Sequence, residues 1–189
     1  ALTNLVWAPM EEGLKSVSLS ANWMWPCNNP GEDARLYRAV EACADFAIAL
    51  GINIPTGKDS LSMKQKYPEG DVLAPGTVII SAAGQCADVK SVVTPVAKVG
   101  AGALYYLDFS QDEFHLGGSS FAQSLDAIGT KTPSVLDAAY FKTAFNTLQN
   151  LIKEGAICAG HDVGSGGLIT SLLEMCFPSV GVGMELDFS

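Results

Sequence analysis

The chain has 189 residues, of which 48% are hydrophobic and 16% charged; this composition excludes a disordered protein and predicts a globular one with a substantial core. Acidic residues outnumber basic ones by 20 to 11. The net charge of −9 therefore argues against nucleic acid as a partner, although local N–H groups or one lysine would suffice for a small phosphate ligand. No apolar run approaches the ~20 residues of a membrane span and no signal peptide is visible, so we expect no membrane contact and a cytoplasmic location.

The first half of the chain predicts one helix among several strands. The signals are alternation of apolar and polar residues for strands and apolar residues at helical spacing for the helix. The predicted elements are a half-buried strand over 15–24, a turn-rich loop over 26–31, a helix over 32–50 with Gly51 as its C′ residue, a strand over 52–55 running into a loop at Gly57, and a strand over 78–83.

The second half follows a boundary near residues 95–102, where Gly, Ala and Lys replace the earlier pattern, so we predict domains of residues 1–96 and 97–189. The chain is predicted to be mixed α/β (α+β), with helices packed on one face of mixed sheets. The predicted elements are a strand over 103–109, a loop at 116–120 opening a helix to 128, a helix over 134–154 with Leu136, Tyr140, Ala144, Leu148 and Leu151 on one face, a strand over 156–160, a helix over 168–177, and a strand-like alternation over 182–188.

Five cysteines occur without a C-x-x-C pair or a zinc-like spacing. We interpret them as buried free thiols in a reducing compartment, in preference to nucleophiles. They are Cys27, Cys43, Cys86, Cys158 and Cys176.

Gly57, Lys58, Asp59 and Ser60 form the first candidate site. Because they follow a predicted strand, the Lys58 and Asp59 side chains should emerge at its end, where a Lys can neutralise phosphate and an Asp can hold Mg²⁺. A surface ion pair in a turn is the alternative. The spacing of a Walker loop is absent.

The second candidate site is the stretch 161–168, in which Asp162 ends a strand and glycines open a helix. A helix N-terminus attracts phosphate, and an Asp beside it becomes useful when a cation bridges the two. The alternative makes Asp162 the N-cap of that helix. We expect His161 to orient a neighbour and not to act as a catalyst.

Read in order, five blocks of the chain resemble the large, single-chain phosphoribosylformylglycinamidine synthase family. The resemblance covers nearly the whole chain, and it identifies the second of that family's two aminoimidazole-ribonucleotide-synthetase-like halves. It implies two partial domains: residues 1–96 as the latter part of an N-terminal-type domain, and 97–189 as the beginning of a C-terminal-type domain. We therefore expect the chain to be a piece of a longer protein. The blocks are residues 1–4, 20–24, 30–33, 57–63 and 161–168.

The resemblance implies an ATP-dependent carbon–nitrogen ligase of de novo purine biosynthesis. In the family, ATP phosphorylates the formamide oxygen of formylglycinamide ribonucleotide. Ammonia, released from glutamine in a separate glutaminase domain, then displaces phosphate to give the amidine. The implied cofactors are Mg²⁺ and ATP/ADP, and the implied partners are the substrates and the remaining domains of the same chain. The fragment alone is expected to be inactive.

The family's site residues carry over to a few positions. Asn4 and Asp162 match metal ligands, whereas a family Glu expected before Ala1 and an Asp further upstream are missing from this chain. Lys58 and Asp59 fall where related smaller synthases contact nucleotide, metal and substrate, and we expect Ser60 to bind nucleotide or substrate beside them. Gly164 could contact nucleotide through its backbone, although relatives often carry Ser then Asp at Gly164 and Ser165. No catalytic residue is assigned, and no cysteine matches the glutaminase nucleophile.

Two other interpretations remain. The half could be a non-catalytic scaffold that holds a structural Mg–nucleotide. The chain could also belong to another ATP user of the superfamily, such as the aminoimidazole ribonucleotide or selenophosphate synthetases, but the run over residues 20–63 argues against this. An unpaired sheet edge would make dimerisation of the fragment plausible.

Overall fold

In the computed structural model, which describes residues 1–187, the chain forms two compact units. The first consists of residues 11–85 with Ala1, and the second of residues 2–10 with the chain from residue 86 onward. The predicted mixed α/β class is confirmed. In chain order the helices and strands are α1 (Leu2–Leu5), β1 (Val17–Met24), α2 (Glu32–Leu50), β2 (Asn53–Ser60), β3 (Lys64–Tyr67), β4 (Gly70–Leu73), β5 (Thr77–Gly84), α3 (Ser120–Ser124), α4 (Ala138–Lys153) and α5 (Gly167–Cys176).

The first unit is built on a three-stranded sheet in the order β2–β1–β5. β1 pairs in parallel with β2 and antiparallel with β5. Val17, Leu19 and Ala21 of β1 are buried and alternate with less buried residues, which confirms the predicted half-buried strand. α2 has the predicted bounds and ends at Gly51, whose φ of 76° suits glycine.

The predicted loop at Gly57 is wrong, because β2 continues through it to Ser60. Gly57, Lys58 and Asp59 lie opposite Ala21, Asn22 and Trp23 of β1. A Cβ at position 57 would lie 2.0 Å from the carbonyl oxygen of Ala21. Glycine at this position therefore serves the close approach of two strands.

The sequence patterns also missed the antiparallel hairpin β3–β4, which an ion pair of 2.7 Å between Lys64 Nζ and Asp71 Oδ2 joins. All eight of its strand residues are exposed, so no hydrophobic alternation marks them.

The core of the second unit lies along α4, whose side chains Phe141, Phe145, Leu148 and Ile152 are buried. This face shares only Leu148 with the predicted one, because Leu136, Tyr140 and Leu151 are exposed. The predicted helix start at 134 is also wrong. The Asp137 carboxylate accepts from the N–H groups of Ala139 and Tyr140 and so begins the helix at Ala138.

Two helices complete the described part of the second unit. Ser119 caps α3 through the N–H of Ala122, but α3 ends at Ser124, short of the predicted residue 128. α5 begins one residue before its predicted start.

The strands predicted over 103–109 and 156–160 do not form, and neither does one over 182–187; residue 188 lies outside the described residues. A strand exists through its hydrogen-bonded neighbour, and no neighbour in the described part of the chain pairs with these segments. Leu104, Tyr105, Tyr106 and Leu107 accordingly stay exposed.

The domain division at residues 96 and 97 concerns the family origin of each stretch and stays a prediction. All five cysteines are free, as expected, but four are half-buried and Cys158 is exposed, so the expectation of buried thiols is wrong. Within residues 1–187 no helix is long and apolar enough to cross a bilayer.

Candidate functional site

The Asn4 and Asp162 side chains, 158 residues apart in sequence, meet in the second unit. The Asn4 amide nitrogen donates to Asp162 Oδ1 over 3.2 Å. Asn4 lies in the short helix α1, and Asp162 lies in the loop that precedes α5. The structure thus brings together the two residues that match family metal ligands.

Two side chains contact the backbone carbonyl of Asp162, and a third contacts one of these two. His161 Nδ1 lies 2.6 Å from the Asp162 carbonyl oxygen, and the Ser171 hydroxyl donates to the same oxygen over 3.2 Å. On its other side, His161 Nε2 lies 3.2 Å from Glu174 Oε2. Each ring nitrogen of His161 therefore faces an oxygen atom, and the ring links the Asp162 loop to α5.

The N-terminus of α5 carries no side-chain cap. Its N-cap residue is Gly166, which makes no side-chain hydrogen bond, so the alternative of Asp162 as N-cap is wrong. A Cβ at Gly164 would meet nothing within 4 Å, so the backbone beside the helix start is open to a ligand. The first N–H groups of a helix lack intrahelical partners and carry partial positive charge, which suits a phosphate.

The donor chemistry of Asn4 and Asp162 fits a hard cation such as Mg²⁺, which prefers carboxylate and amide oxygens. A coordinating Asn presents its oxygen, so cation binding would turn the Asn4 amide from its present bond to Asp162. Two protein ligands are fewer than the six positions of Mg²⁺. Within residues 1–187 no group of three or more His, Cys, Asp or Glu could hold a metal, so the described residues provide only part of a coordination shell.

Lys58 and Ser60 lie together in the first unit. The Lys58 ammonium donates to the Ser60 hydroxyl over 2.7 Å, and both side chains project from one face of β2. Since successive strand residues face opposite sides, Asp59 lies on the other face, which it shares with Trp23. Lys58 and Asp59 thus lie within the last three residues of β2 but project from opposite faces, and an open cleft of about 360 Å³ at β2 borders both.

Sequence reasoning missed Ser171, Glu174 and also Gln149, a buried residue of α4. The available signal for Gln149 was a polar residue between Leu148 and Ile152 on an otherwise apolar helix face. Ser171 and Glu174 give no such signal, since Ser and Glu are common on exposed helix surfaces.

Comparisons with known proteins match both parts of the chain. Residues 1–85 match the family described as FGAR-AT PurM_N-like domain, and residues 108–189 match the C-terminal domain of AIR synthase related proteins. The probable phosphoribosylformylglycinamidine synthase, chloroplastic/mitochondrial, of Arabidopsis thaliana is 42% identical over 192 residues, which cover 100% of this chain and 13% of the relative. The phosphoribosylformylglycinamidine synthase of Homo sapiens is 41% identical over 189 residues, or 99% of this chain and 14% of the relative. The chain therefore spans about one seventh of the length of these relatives.

Proposed function

Because the chain belongs to the phosphoribosylformylglycinamidine synthase family, of which it spans one segment, we propose that it forms part of an ATP- and glutamine-dependent amidoligase of purine biosynthesis. The observation that carries this proposal is the 41–42% identity along essentially the whole chain to two enzymes of that name. The two family matches, in the order expected of a synthetase-like half, support it. The reaction would convert formylglycinamide ribonucleotide to formylglycinamidine ribonucleotide.

In the second unit, Asn4 and Asp162 would hold Mg²⁺, and the N-terminus of α5 with Gly164 would bind a nucleotide phosphate. The 3.2 Å contact between the two side chains and the absence of a side-chain cap on α5 support these roles. Mg²⁺ bound there would supply positive charge to the phosphate oxygens.

In the first unit, Lys58 and Ser60 would bind phosphate or substrate from one face of β2. Within residues 1–187 the exposed Lys58 ammonium donates to a hydroxyl and forms no ion pair with a carboxylate, so it is available to an anion. Asp59, on the opposite face, would act separately as a metal or substrate contact.

A holding role for the Asp162 site, as in a structural scaffold, is favoured over a catalytic one. A general acid or base must lie within hydrogen-bond reach of the proton that it transfers. His161 lies beside Asp162, but its two ring nitrogens face the Asp162 carbonyl and the Glu174 carboxylate. We therefore propose that nucleotide bound here stays in place.

Asp162→Asn in the intact protein tests the holding role of the Asp162 site, with ammonia-dependent ADP release and bound nucleotide measured in one sample. We expect loss of bound nucleotide and a lower melting temperature with turnover largely kept. Asp45→Asn, which removes the same charge from the exposed surface of α2, should change none of these. Lost turnover in a protein of unchanged stability would overturn the holding role.

An intact wild-type protein that forms no amidine from the ribonucleotide, ATP and glutamine would overturn the amidoligase proposal.

The cytoplasmic location stays a proposal. The printed name of the Arabidopsis thaliana relative places that protein in chloroplasts or mitochondria, so relatives differ in compartment. Fluorescence microscopy of the tagged intact protein would decide the location.

A further inference from the structure

Among residues 1–187, the side chains that are both polar and buried belong to Gln149 and Ser171, which are 2% and 4% exposed. Burial of a polar group is unfavourable unless it is hydrogen-bonded, so the partners of such groups indicate what they hold in place. Each of these two residues bonds the backbone beside one member of the Asn4–Asp162 pair.

Gln149 holds the backbone that follows Asn4. Its amide nitrogen donates to the carbonyl oxygens of Val6 and Ala8 over 2.5 and 3.0 Å, and its amide oxygen accepts from the Met10 N–H over 2.7 Å. Val6 and Met10 are each 1% exposed, so the bonds to these two residues are shielded from water. The Val6 N–H in turn donates to the Leu2 carbonyl and closes the helical turn that contains Asn4. The position of Asn4 is therefore tied to α4 through one side chain.

Ser171 holds Asp162 itself. Its hydroxyl donates to the Asp162 carbonyl oxygen over 3.2 Å, and the nearest alternative acceptor is the Gly167 carbonyl at 3.3 Å in the same helix. Within residues 1–187, removal of the Ser171 hydroxyl would therefore leave the Asp162 loop attached to α5 through His161 and Glu174 alone.

We propose that Gln149 and Ser171 are positioning residues, which hold Asn4 and Asp162 close enough for one divalent cation to bind both. The inference rests on the cation site of the proposed function. Neither residue touches the cation. Mg²⁺ demands ligand distances of about 2.0–2.1 Å, so small displacements of either ligand weaken binding, and loss of such supporting residues typically lowers metal affinity about 10–100-fold.

The test measures Mn²⁺ affinity in the intact protein by electron paramagnetic resonance and counts only the binding that Asp162→Asn abolishes. Gln149→Met keeps the length of the side chain without its hydrogen bonds, and Ser171→Ala removes one hydroxyl. We expect each variant to bind Mn²⁺ about tenfold or more weakly. Gln149→Met should also speed hydrogen–deuterium exchange in residues 2–10, whereas Ser171→Ala should not.

Two neighbouring residues provide matched controls. Asn150→Met makes a similar change at the next, exposed position of α4, and Thr170→Val removes a hydroxyl that donates to the carbonyl of Gly166, the N-cap residue of α5. Both should keep the wild-type affinity for Mn²⁺.

Folded Gln149→Met and Ser171→Ala proteins with wild-type Mn²⁺ affinity would overturn the inference, even if residues 2–10 exchange faster, because the residues would then be structural only. Such a result would leave the proposed function intact. If the Gln149→Met protein does not fold, the Mn²⁺ affinity of the Ser171→Ala protein alone tests the inference. A wild-type protein without Asp162-dependent Mn²⁺ binding would overturn the cation site, and the inference with it.

Discussion

At residue 57 the lack of a side chain allows two strands to pair. The Gly57 backbone lies against the Ala21 carbonyl, and the pairing of β1 with β2 continues regularly from there to Ser60. Lys58 and Ser60 owe their common face to this pairing. A glycine beside charged residues predicts phosphate approach as readily as strand approach, and only the partner strand distinguishes the two.

Gly57→Ala should therefore destabilise the β1–β2 pair by about 1–3 kcal/mol, because the new Cβ would overlap a backbone oxygen that cannot rotate away. Native-state hydrogen exchange of the β1 amides in the intact protein would measure the free energy of local opening. Thr56→Ala, at the preceding exposed position of the same strand, should change it by less than about 0.5 kcal/mol. Equal protection of the β1 amides in the two variants would contradict this prediction, because the β1–β2 pair would then accommodate a Cβ at position 57 without loss of stability.

The candidate site residues could be predicted only in part from the sequence. Asn4 and Asp162 come from the resemblance, and the structure places their side chains in contact. Gln149, Ser171 and Glu174 could not be predicted, because their partners are backbone atoms and side chains that only the tertiary fold brings near. Their roles, like those of Lys58, Asp59, Ser60 and Gly164, stay predictions.

At the scale of elements, helices were easier to predict than strands because a helix satisfies its backbone from its own sequence. α2 could be predicted to the residue, from a glycine in left-handed conformation at its end. The segment 103–109 has the residues of a strand, but a strand depends on a neighbour that sequence periodicity does not identify. The buried face of α4 was misplaced because Leu136, Leu148 and Leu151 follow a helical spacing as well as the phenylalanines do.

Phe145→Ala in α4 should lower the free energy of unfolding of the second unit by about 3–5 kcal/mol, because Phe145 is 0% exposed and the change leaves a cavity. Leu151→Ala, on the face that the sequence predicted to be buried, should cost less than about 1 kcal/mol since Leu151 is 36% exposed. Urea denaturation followed by circular dichroism would compare the two. The reverse order of stabilities would restore the predicted helix face.

At the scale of the whole chain, large apolar side chains remain exposed in both units. Ile48 of α2, Tyr105, Phe114 and Phe177 are 73–79% exposed, and α5 borders an apolar cavity of about 500 Å³. In the described residues, the outer edges of β2 and β5 pair with no further strand. Exposed apolar patches and unpaired strand edges mark interaction surfaces. The relatives are about seven times longer than this chain, so they have additional residues that can pack against such surfaces.

The isolated 189-residue chain should therefore self-associate at micromolar concentration, whereas the same residues within the intact protein should not. Its net charge of −9 opposes association, so raising the salt concentration should screen the repulsion and shift the equilibrium further toward oligomers.

Sedimentation velocity over a range of protein and salt concentrations would measure this self-association, with Ile79→Lys on β5 as the informative variant. A lysine on an exposed edge strand disfavours pairing between copies, so this variant should be more monomeric than the wild type if the sheet edge is the contact. Ile48→Lys on α2 is the matched control for apolar contact away from that edge. A chain that stays monomeric in high salt would show that these surfaces are stable in water and need no cover.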